Sequence, residues 1–321
     1  MFNQITFFTG VLFILLGFNT GILSGFFGVG GCFILTPLLN ILGLPIAQAV
    51  GTGLFFAVIV SSWGGVRHYL AGNALIKISI IIGLLSFVGI QISQPLVLYL
   101  DALQIAGLYI RLLYIVLLLT LGFLTLKKKN TTIQRVKNNN KRSSKFLTNL
   151  KNMPPRITIE EDSPPISIWP IVAIALVVGI LQGFLGVGGG FILVPVLIVF
   201  LNLKPHNAVG TSLVTIVISS IFASFLYFQA GKVLVPISLL LGLGSLAGVN
   251  FGVCSTFNIN GETLKRLYSI FLLLTSIGIM LKTLNYNLFS MGYMLILSFS
   301  IGLFILFYYS KTKIHTNKPN I

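Results

Sequence analysis

The feature that most constrains this chain is a glycine-rich apolar segment that occurs twice. Residues 21–39 read GILSGFFGVGGCFILTPLL, and residues 179–197 read GILQGFLGVGGGFILVPVL. Fourteen of the nineteen positions are identical at a constant offset of 158 residues, including five glycines and the prolines Pro37 and Pro195. Glycines and a proline that recur in register indicate an internal duplication, which shared apolar composition alone does not produce.

Each copy has the sequence of an apolar helix that is interrupted. Four glycines fall within residues 25–31, and each destabilises a helix interior by up to about 1 kcal/mol relative to alanine. Backbone without helical hydrogen bonds survives at membrane depth only when it is buried in protein or lines a wet cavity. Matching interruptions in two halves of a chain are typical of a transporter's binding site. The alternative is that the glycines only allow close helix packing, which requires neither the adjacent pair Gly30-Gly31 nor the following proline.

Composition places the chain in a bilayer. Of its 321 residues, 55% are hydrophobic and 8% are charged, and nine apolar runs are long enough to cross a hydrocarbon core. The net charge is +16, but ten of the 21 basic residues lie between positions 127 and 156. We interpret this cluster as a topology signal rather than a nucleic-acid surface. Cys32 and Cys254 lack metal-ligand spacing, so neither a metal site nor a cofactor is expected.

The predicted fold is all-α: a polytopic membrane protein with two homologous four-helix repeats, each beginning with a Gly-broken helix, plus one extra C-terminal span. A second shared motif supports the repeat, because AVGTGL at 49–54 corresponds to AVGTSL at 208–213. The predicted division is 1–126 for the first membrane repeat, 127–167 for a basic cytoplasmic linker, 168–282 for the second membrane repeat, and 283–321 for the additional transmembrane span and tail.

Lysine and arginine place the linker on the cytoplasmic side. With four crossings per repeat, the N-terminus is then expected on that side too, whereas nine crossings place the lysines after residue 310 outside. That outcome conflicts with the positive-inside rule. Either the last span is an addition that tolerates the conflict, or a broken element is re-entrant and changes the count.

Polar groups beside the glycines define the predicted substrate site. The only acids outside the linker are Asp101 and Glu262, which argues against a buried carboxylate relay. Free N–H groups at helix N-termini suit small anions. The predicted substrate-binding residues are Gly28, Gly30, Gly31, Thr52, Gly186, Gly188, Gly189, Thr211 and Ser212. Further hydroxyls follow at Ser61, Ser62, Ser219 and Ser220, and Ser24 and Gln182 occupy the same place in the two copies. Each hydroxyl taken singly is also explained by an interhelical hydrogen bond.

Arg67 and His68 end the second span and are followed by Ala71-Gly72. We hypothesise that they form a gate for an anion that leaves the cytoplasm. Anchoring by the positive-inside rule is the alternative explanation for both.

These motifs together resemble the sulfite exporter family TauE/SafE. The resemblance is carried by the doubled GxxxGxxGxGG with its following proline, by the AxGT motifs, and by R-x-x-x-A-G at 67–72, and it covers residues 9–281. It implies a plasma (inner) membrane transporter of two four-helix repeats that exports sulfite, sulfoacetate or another small organosulfur anion. Cys32, where the second copy has Gly190, and Gly53, where it has Ser212, depart from the pattern.

The expected partners are therefore a small inorganic or organosulfur anion and the lipid bilayer, without nucleic acid. Two other functions are also compatible with the sequence. One is a membrane assembly protein that does not transport. The other is an intramembrane hydrolase with Ser24 as nucleophile and His68 as base, although Gln182 replaces the serine in the second copy. We expect no enzyme activity. The sequence leaves open which anion is carried, which ion is coupled, the direction of transport and the oligomeric state.

Overall fold

The computed structural model describes residues 7–127, 156–157, 166–201 and 203–316. Most of the predicted linker lies outside these ranges. The described residues form eleven helices and one short antiparallel strand pair. The elements are α1 Phe7–Phe27, α2 Cys32–Ile41, α3 Ile46–Leu70, α4 Ile76–Ala102, α5 Ala106–Lys127, β1 Arg156–Ile157, β2 Ile166–Ser167, α6 Ile168–Leu185, α7 Gly190–Phe200, α8 Pro205–Gln229, α9 Val235–Phe257, α10 Gly261–Thr283 and α11 Asn287–Thr316.

Nine of the described helices are long and apolar enough to cross a membrane, which confirms a polytopic membrane protein. The exceptions are α2 and α7, with 10 and 11 residues. Both follow a glycine break in which Gly28, Gly30 and Gly31, and likewise Gly186, Gly188 and Gly189, have positive φ angles between 66° and 80°. Glycine adopts this region without steric cost, so the sequence ends the helices here.

The broken helices double back inside the membrane region. Gly17, Gly21 and Gly25 of α1 face Leu241, Ser245 and Val249 of α9 in the same order, so α1 runs parallel to α9. Thr52 and Ile59 of α3 face successive parts of α9 in the same order, so α3 is parallel to it as well. By contrast, α2 runs back along α3, and only residues 42–45 separate the two. The pair α1–α2 therefore returns to the membrane face from which it starts, and α6–α7 has the same form.

Contacts at the helix ends define two membrane faces. His206, in the first turn of α8, lies 3.0 Å from the carbonyl oxygen of Ile259, just after α9, and Gly261 at the start of α10 lies against Pro205. Because α5 runs antiparallel to α10, with Gly122 against Leu273, α5 also ends at this face. We call it the linker side, since the linker leaves from it, and the opposite face the far side.

Basic residues concentrate on the linker side. The hydroxyl of Tyr308 in α11 donates to the carbonyl of Asn258 after α9 at 3.0 Å, so α11 ends on that side, and Lys311 and Lys313 belong to its last turns. The described cations there are Arg67, Lys77, Lys127, Lys204, Lys265 and Arg266. The N-terminal end of α1 lies on the far side, so the expectation that it shares the linker's face was wrong. The cause is the re-entrant course of both broken elements, which changes the crossing count and removes the conflict at the C-terminus.

The two sequence copies interleave. The main helix pairs are α1 with α9, α4 with α6, α3 with α8, and α5 with α10, and every pair joins one copy to the other. Glycines allow the closest approaches: an ideal Cβ on Gly25 would lie 2.6 Å from the carbonyl oxygen of Val249. The helices α3 and α8 are antiparallel, because Gly51 lies against Lys232 and Gly210 against Asn73. The two copies therefore have opposite orientations, while the domain division at residues 126 and 168 stays a prediction.

Candidate functional site

The two glycine breaks meet at the centre of the molecule. An ideal Cβ on Gly190, the first residue of α7, would lie 2.7 Å from the carbonyl oxygen of Gly28 in the other break. Helices α3 and α8 flank both breaks, since Ser61 and Ile216 lie against Gly30, and Ile216 also lies against Gly188. The six predicted glycines are thus brought together, as expected for a site shared by the two copies.

Carbonyl groups freed by each break accept hydrogen bonds from the other copy. Ser212 Oγ donates to the carbonyl of Gly28 at 2.7 Å, and Thr36 Oγ1 donates to the carbonyl of Gly186 at 3.0 Å. The hydroxyl of Tyr114 donates to the carbonyl of Leu185 at 2.8 Å. Buried carbonyls need such partners, and these donors fix the breaks in place.

The N-termini of both short helices are directed to this centre without a capping side chain. Gly31 and Gly189 are the N-cap residues of α2 and α7, and neither provides a side-chain hydrogen bond. The first N–H groups of a helix have no partner within the helix, and they carry partial positive charge. The centre therefore offers two sets of backbone donors, one from each copy.

Several buried polar side chains that have an unpaired atom belong to the glycine breaks or to the helices that flank them. Ser24 Oγ, Ser61 Oγ and Gln182 Oε1 are fully buried and make no hydrogen bond among the described residues. Ser61 Oγ would lie 3.1 Å from an ideal Cβ on Gly30, and Gln182 Oε1 would lie 3.4 Å from one on Gly189. Gln182 Nε2 donates to Ser220 Oγ at 3.0 Å. We call Ser24, Ser61, Gln182 and Ser220 the central polar group. An unsatisfied buried polar group costs about 1–3 kcal/mol, which suggests a ligand as the missing partner.

Comparison with known proteins identifies the family to which this chain is similar. The sequence model for the family described as "Sulfite exporter TauE/SafE" matches residues 13–279.

The chain belongs to the TauE/SafE family.

Curated relatives agree with this membership. A probable membrane transporter protein of Methanocaldococcus jannaschii is 26% identical over 274 residues, which cover 80% of this chain and 90% of the relative. The probable membrane transporter protein YdhB of Bacillus subtilis is 26% identical over 243 residues, 75% of this chain and 88% of the relative. No solved structure matches significantly. The protein is therefore a multi-pass membrane transporter of the TauE/SafE family, and α11 lies beyond the matched residues.

Two predicted site residues in the TauE/SafE motifs AxGT lie in helix-capping contacts. Thr52 Oγ1 accepts the N–H of Leu234 and Thr211 Oγ1 accepts the N–H of Leu75, both at 3.1 Å. These bonds connect each copy to the start of a helix in the other copy. Ser212 is directed to the first glycine break, where it bonds to Gly28, whereas Thr52 and Thr211 are directed to the helix starts at Leu234 and Leu75. A substrate contact by either threonine stays a prediction.

The two residues of the hypothesised gate have different surroundings. Arg67 is exposed, and its guanidinium lies 5.3 Å from the centre of the Trp63 ring. His68 is buried, and its Nε2 lies 3.0 Å from the carbonyl oxygen of Gly25, three residues before the first break. Its Nδ1 has no partner among the described residues. Of the two residues, His68 contacts α1 just before the first break, and the gate itself stays a prediction.

The central polar group was visible in the sequence but was not selected as the site. All four residues are polar positions in apolar runs, and they recur in pairs: Ser24 with Gln182, and Ser61 with Ser220. Recurrence draws attention to these positions, and the absence of a bond for Ser24 and Ser61 within the described part of the chain separates them from other recurring hydroxyls. Most other buried hydroxyls donate to a carbonyl one turn earlier in the same helix, as Ser86 does to Ile82 at 2.6 Å.

Proposed function

We propose that this TauE/SafE transporter carries a small oxyanion, sulfite or an organosulfonate, and that the anion binds between the two glycine breaks. One observation carries the proposal: two uncapped helix N-termini converge at the centre, where the buried hydroxyl of Ser61 lacks a partner among the described residues. Backbone N–H groups at helix N-termini are a ready anion site, and hydroxyls add further donors. The substrate-binding glycines of the sequence prediction are part of this site.

The charge distribution of the described residues supports an anion over a cation. Asp101 and Glu262 are the acids in the described ranges, and both lie near helix ends. Asp101 is paired with Lys232 at 3.2 Å. Several carbonyls of the breaks already accept hydrogen bonds, so the centre offers few acceptors to a metal cation. The uncapped N–H groups at the N-termini of α2 and α7 favour a negatively charged guest.

We propose that the linker side is cytoplasmic, in the plasma (inner) membrane, and that transport is export. The concentration of lysine and arginine on that side supports the orientation. Moving one negative charge out of an inside-negative cell is downhill by about 2.3 kcal/mol per 100 mV. Export of a monovalent anion therefore requires no carboxylate relay.

The test is flux in reconstituted vesicles with sulfite and a panel of organosulfonates. Efflux of the preferred anion should scale with an imposed inside-negative potential. It should persist when the pH gradient is collapsed while a potassium ionophore holds the potential. Lack of flux for every anion, set against an empty-vesicle control, would reject the proposed substrate class. Efflux that stops with the pH gradient would instead show proton coupling.

A further inference from the structure

Two recesses lie outside the centre, one near each membrane face. The far recess lies between α2, α5 and α10 and is lined by Asn40, Arg111, Tyr114 and Lys282 among others. The lining of the linker recess includes Phe27, Val209, Lys265 and Tyr268. The spacing of cation and tyrosine is the same in both, which makes Lys265 the structural counterpart of Arg111. The recesses are thus corresponding features of the two inverted copies.

Each recess is separated from a glycine break by a single layer of side chains. At the far recess, Tyr114 donates to the carbonyl of Leu185, the residue before Gly186. At the linker recess, Phe27 directly precedes Gly28, and the Cα of Val209 lies 2.8 Å from an ideal Cβ on Gly28. Since the two breaks touch at Gly28 and Gly190, contacts run without interruption from one recess to the other.

We propose that the two recesses are the mouths of the anion path, and that Arg111 and Lys282 bind the anion at the far mouth. This inference rests on the proposed function. Tyr114 closes the path between the far mouth and the centre. Phe27 and Tyr268 close it between the linker mouth and the centre. An alternating-access cycle opens one layer at a time around a fixed central site, and the inverted copies provide one such layer on each side.

The charges of the far recess fit this role. Arg111 Nε donates to the carbonyl of Gly107 at 2.7 Å, which fixes the guanidinium and leaves its remaining N–H groups for a second acceptor. Lys282 belongs to a different helix, α10, and lines the same recess as Arg111. No carboxylate is among the described residues that line the recess. Snorkelling explains one cation on one helix, whereas two half-buried cations in one recess are stabilised by an anion between them.

The linker recess differs in charge. Its described lining includes one cation, Lys265, whereas that of the far recess includes two, Arg111 and Lys282. The linker recess therefore has a lower net positive charge than the far recess. The two mouths should consequently differ in anion affinity, with the far mouth the stronger.

The first experiment measures sulfite flux from each side of oriented vesicles with Arg111→Gln, Lys282→Gln and the double variant. Loss of two charge-assisted hydrogen bonds should raise the half-saturating concentration from the far side by roughly tenfold or more. The half-saturating concentration of sulfite added from the linker side should change by less than about twofold. Lys232→Gln is the matched control, because it removes a far-side cation that lies outside the recess. Equal changes from both sides, or none, would overturn the proposal.

A second measurement does not depend on flux. In a Cys32→Ser/Cys254→Ser background, Asn40→Cys is labelled from the far side with thiol reagents of opposite charge. The anionic reagent should react faster, and Arg111→Gln/Lys282→Gln should abolish that preference. Equal rates in the parent would overturn the far-mouth assignment even where sulfite is carried. Anion-selective labelling without any anion flux would instead reject the proposed function and, with it, the role of the recess as a mouth.

Discussion

The two glycine breaks have the same backbone and different side chains. Both contain three glycines with positive φ, and both lead into a short helix with a glycine N-cap. Around them, however, the first copy has Ser24, Cys32 and Thr36 where the second has Gln182, Gly190 and Val194. The backbone frame is thus symmetric, but the lining is not.

The difference follows from how the breaks meet. Gly190 packs directly on the backbone of the first break, so no side chain fits there. Cys32 has room, and its Sγ lies 2.8 Å from the carbonyl oxygen of Gly53. The duplicated glycines therefore give the two breaks the same backbone, while the positions that differ give them different side chains.

The largest loss of transport should come from replacing the glycines with positive φ that both breaks contain. Gly30→Leu and Gly188→Leu should each abolish transport while membrane insertion is retained, because the side chain meets Ser61 or Ile216 and the backbone has positive φ. Flux and surface expression are measured for both. Gly72→Leu is the control, since Gly72 also has a positive φ of 74° but no atom lies within 4 Å of its Cβ position. Normal flux in either central variant would contradict the site.

Cys32 and Gly190 occupy the same position in the two copies, and giving each one the residue of the other should destabilise the fold by unequal amounts. Gly190→Cys forces a side chain against the carbonyl of Gly28 and should destabilise the fold by about 1–3 kcal/mol, as overpacking does. Cys32→Gly removes a thiol and creates no clash, so its effect should be smaller. Thermal unfolding in detergent compares the two. Equal losses would show that the breaks are interchangeable and that the asymmetry has no structural basis.

A smaller effect is expected from the polar lining. Gln182→Ser gives the second copy the residue of the first and removes the bond to Ser220, so the preference among sulfite and organosulfonates should change by several-fold without loss of folding. Gln182→Leu should weaken transport of every anion. Ser62→Ala is the control, because Ser62 bonds within its own helix at 2.6 Å. Unchanged selectivity in Gln182→Ser would remove Gln182 from the site.

Particular residues show how much of this was predictable from sequence. The glycines, Pro37 and Pro195 predicted the broken helices and the meeting of the two copies. A backbone with positive φ requires glycine at that position, so the breaks are visible in the sequence. The return of α2 along α3 could not be deduced, since length alone does not distinguish a re-entrant segment from half of a crossing. Thr52 and Thr211 were selected by recurrence, yet they bond to the N–H groups of Leu234 and Leu75. Recurrence identifies symmetric contacts, both structural and functional, and only long-range geometry separates them.

The central claim is that the two breaks together form one anion site. Selenite is an oxyanion close to sulfite in shape, and its selenium atom can be located by anomalous diffraction from crystals of the protein. The account predicts a peak between Gly30 and Gly188, within hydrogen-bond reach of Ser61 or Gln182, that disappears in Gly30→Leu. A peak confined to the far recess or the linker recess at saturating selenite, with the centre empty, would contradict it.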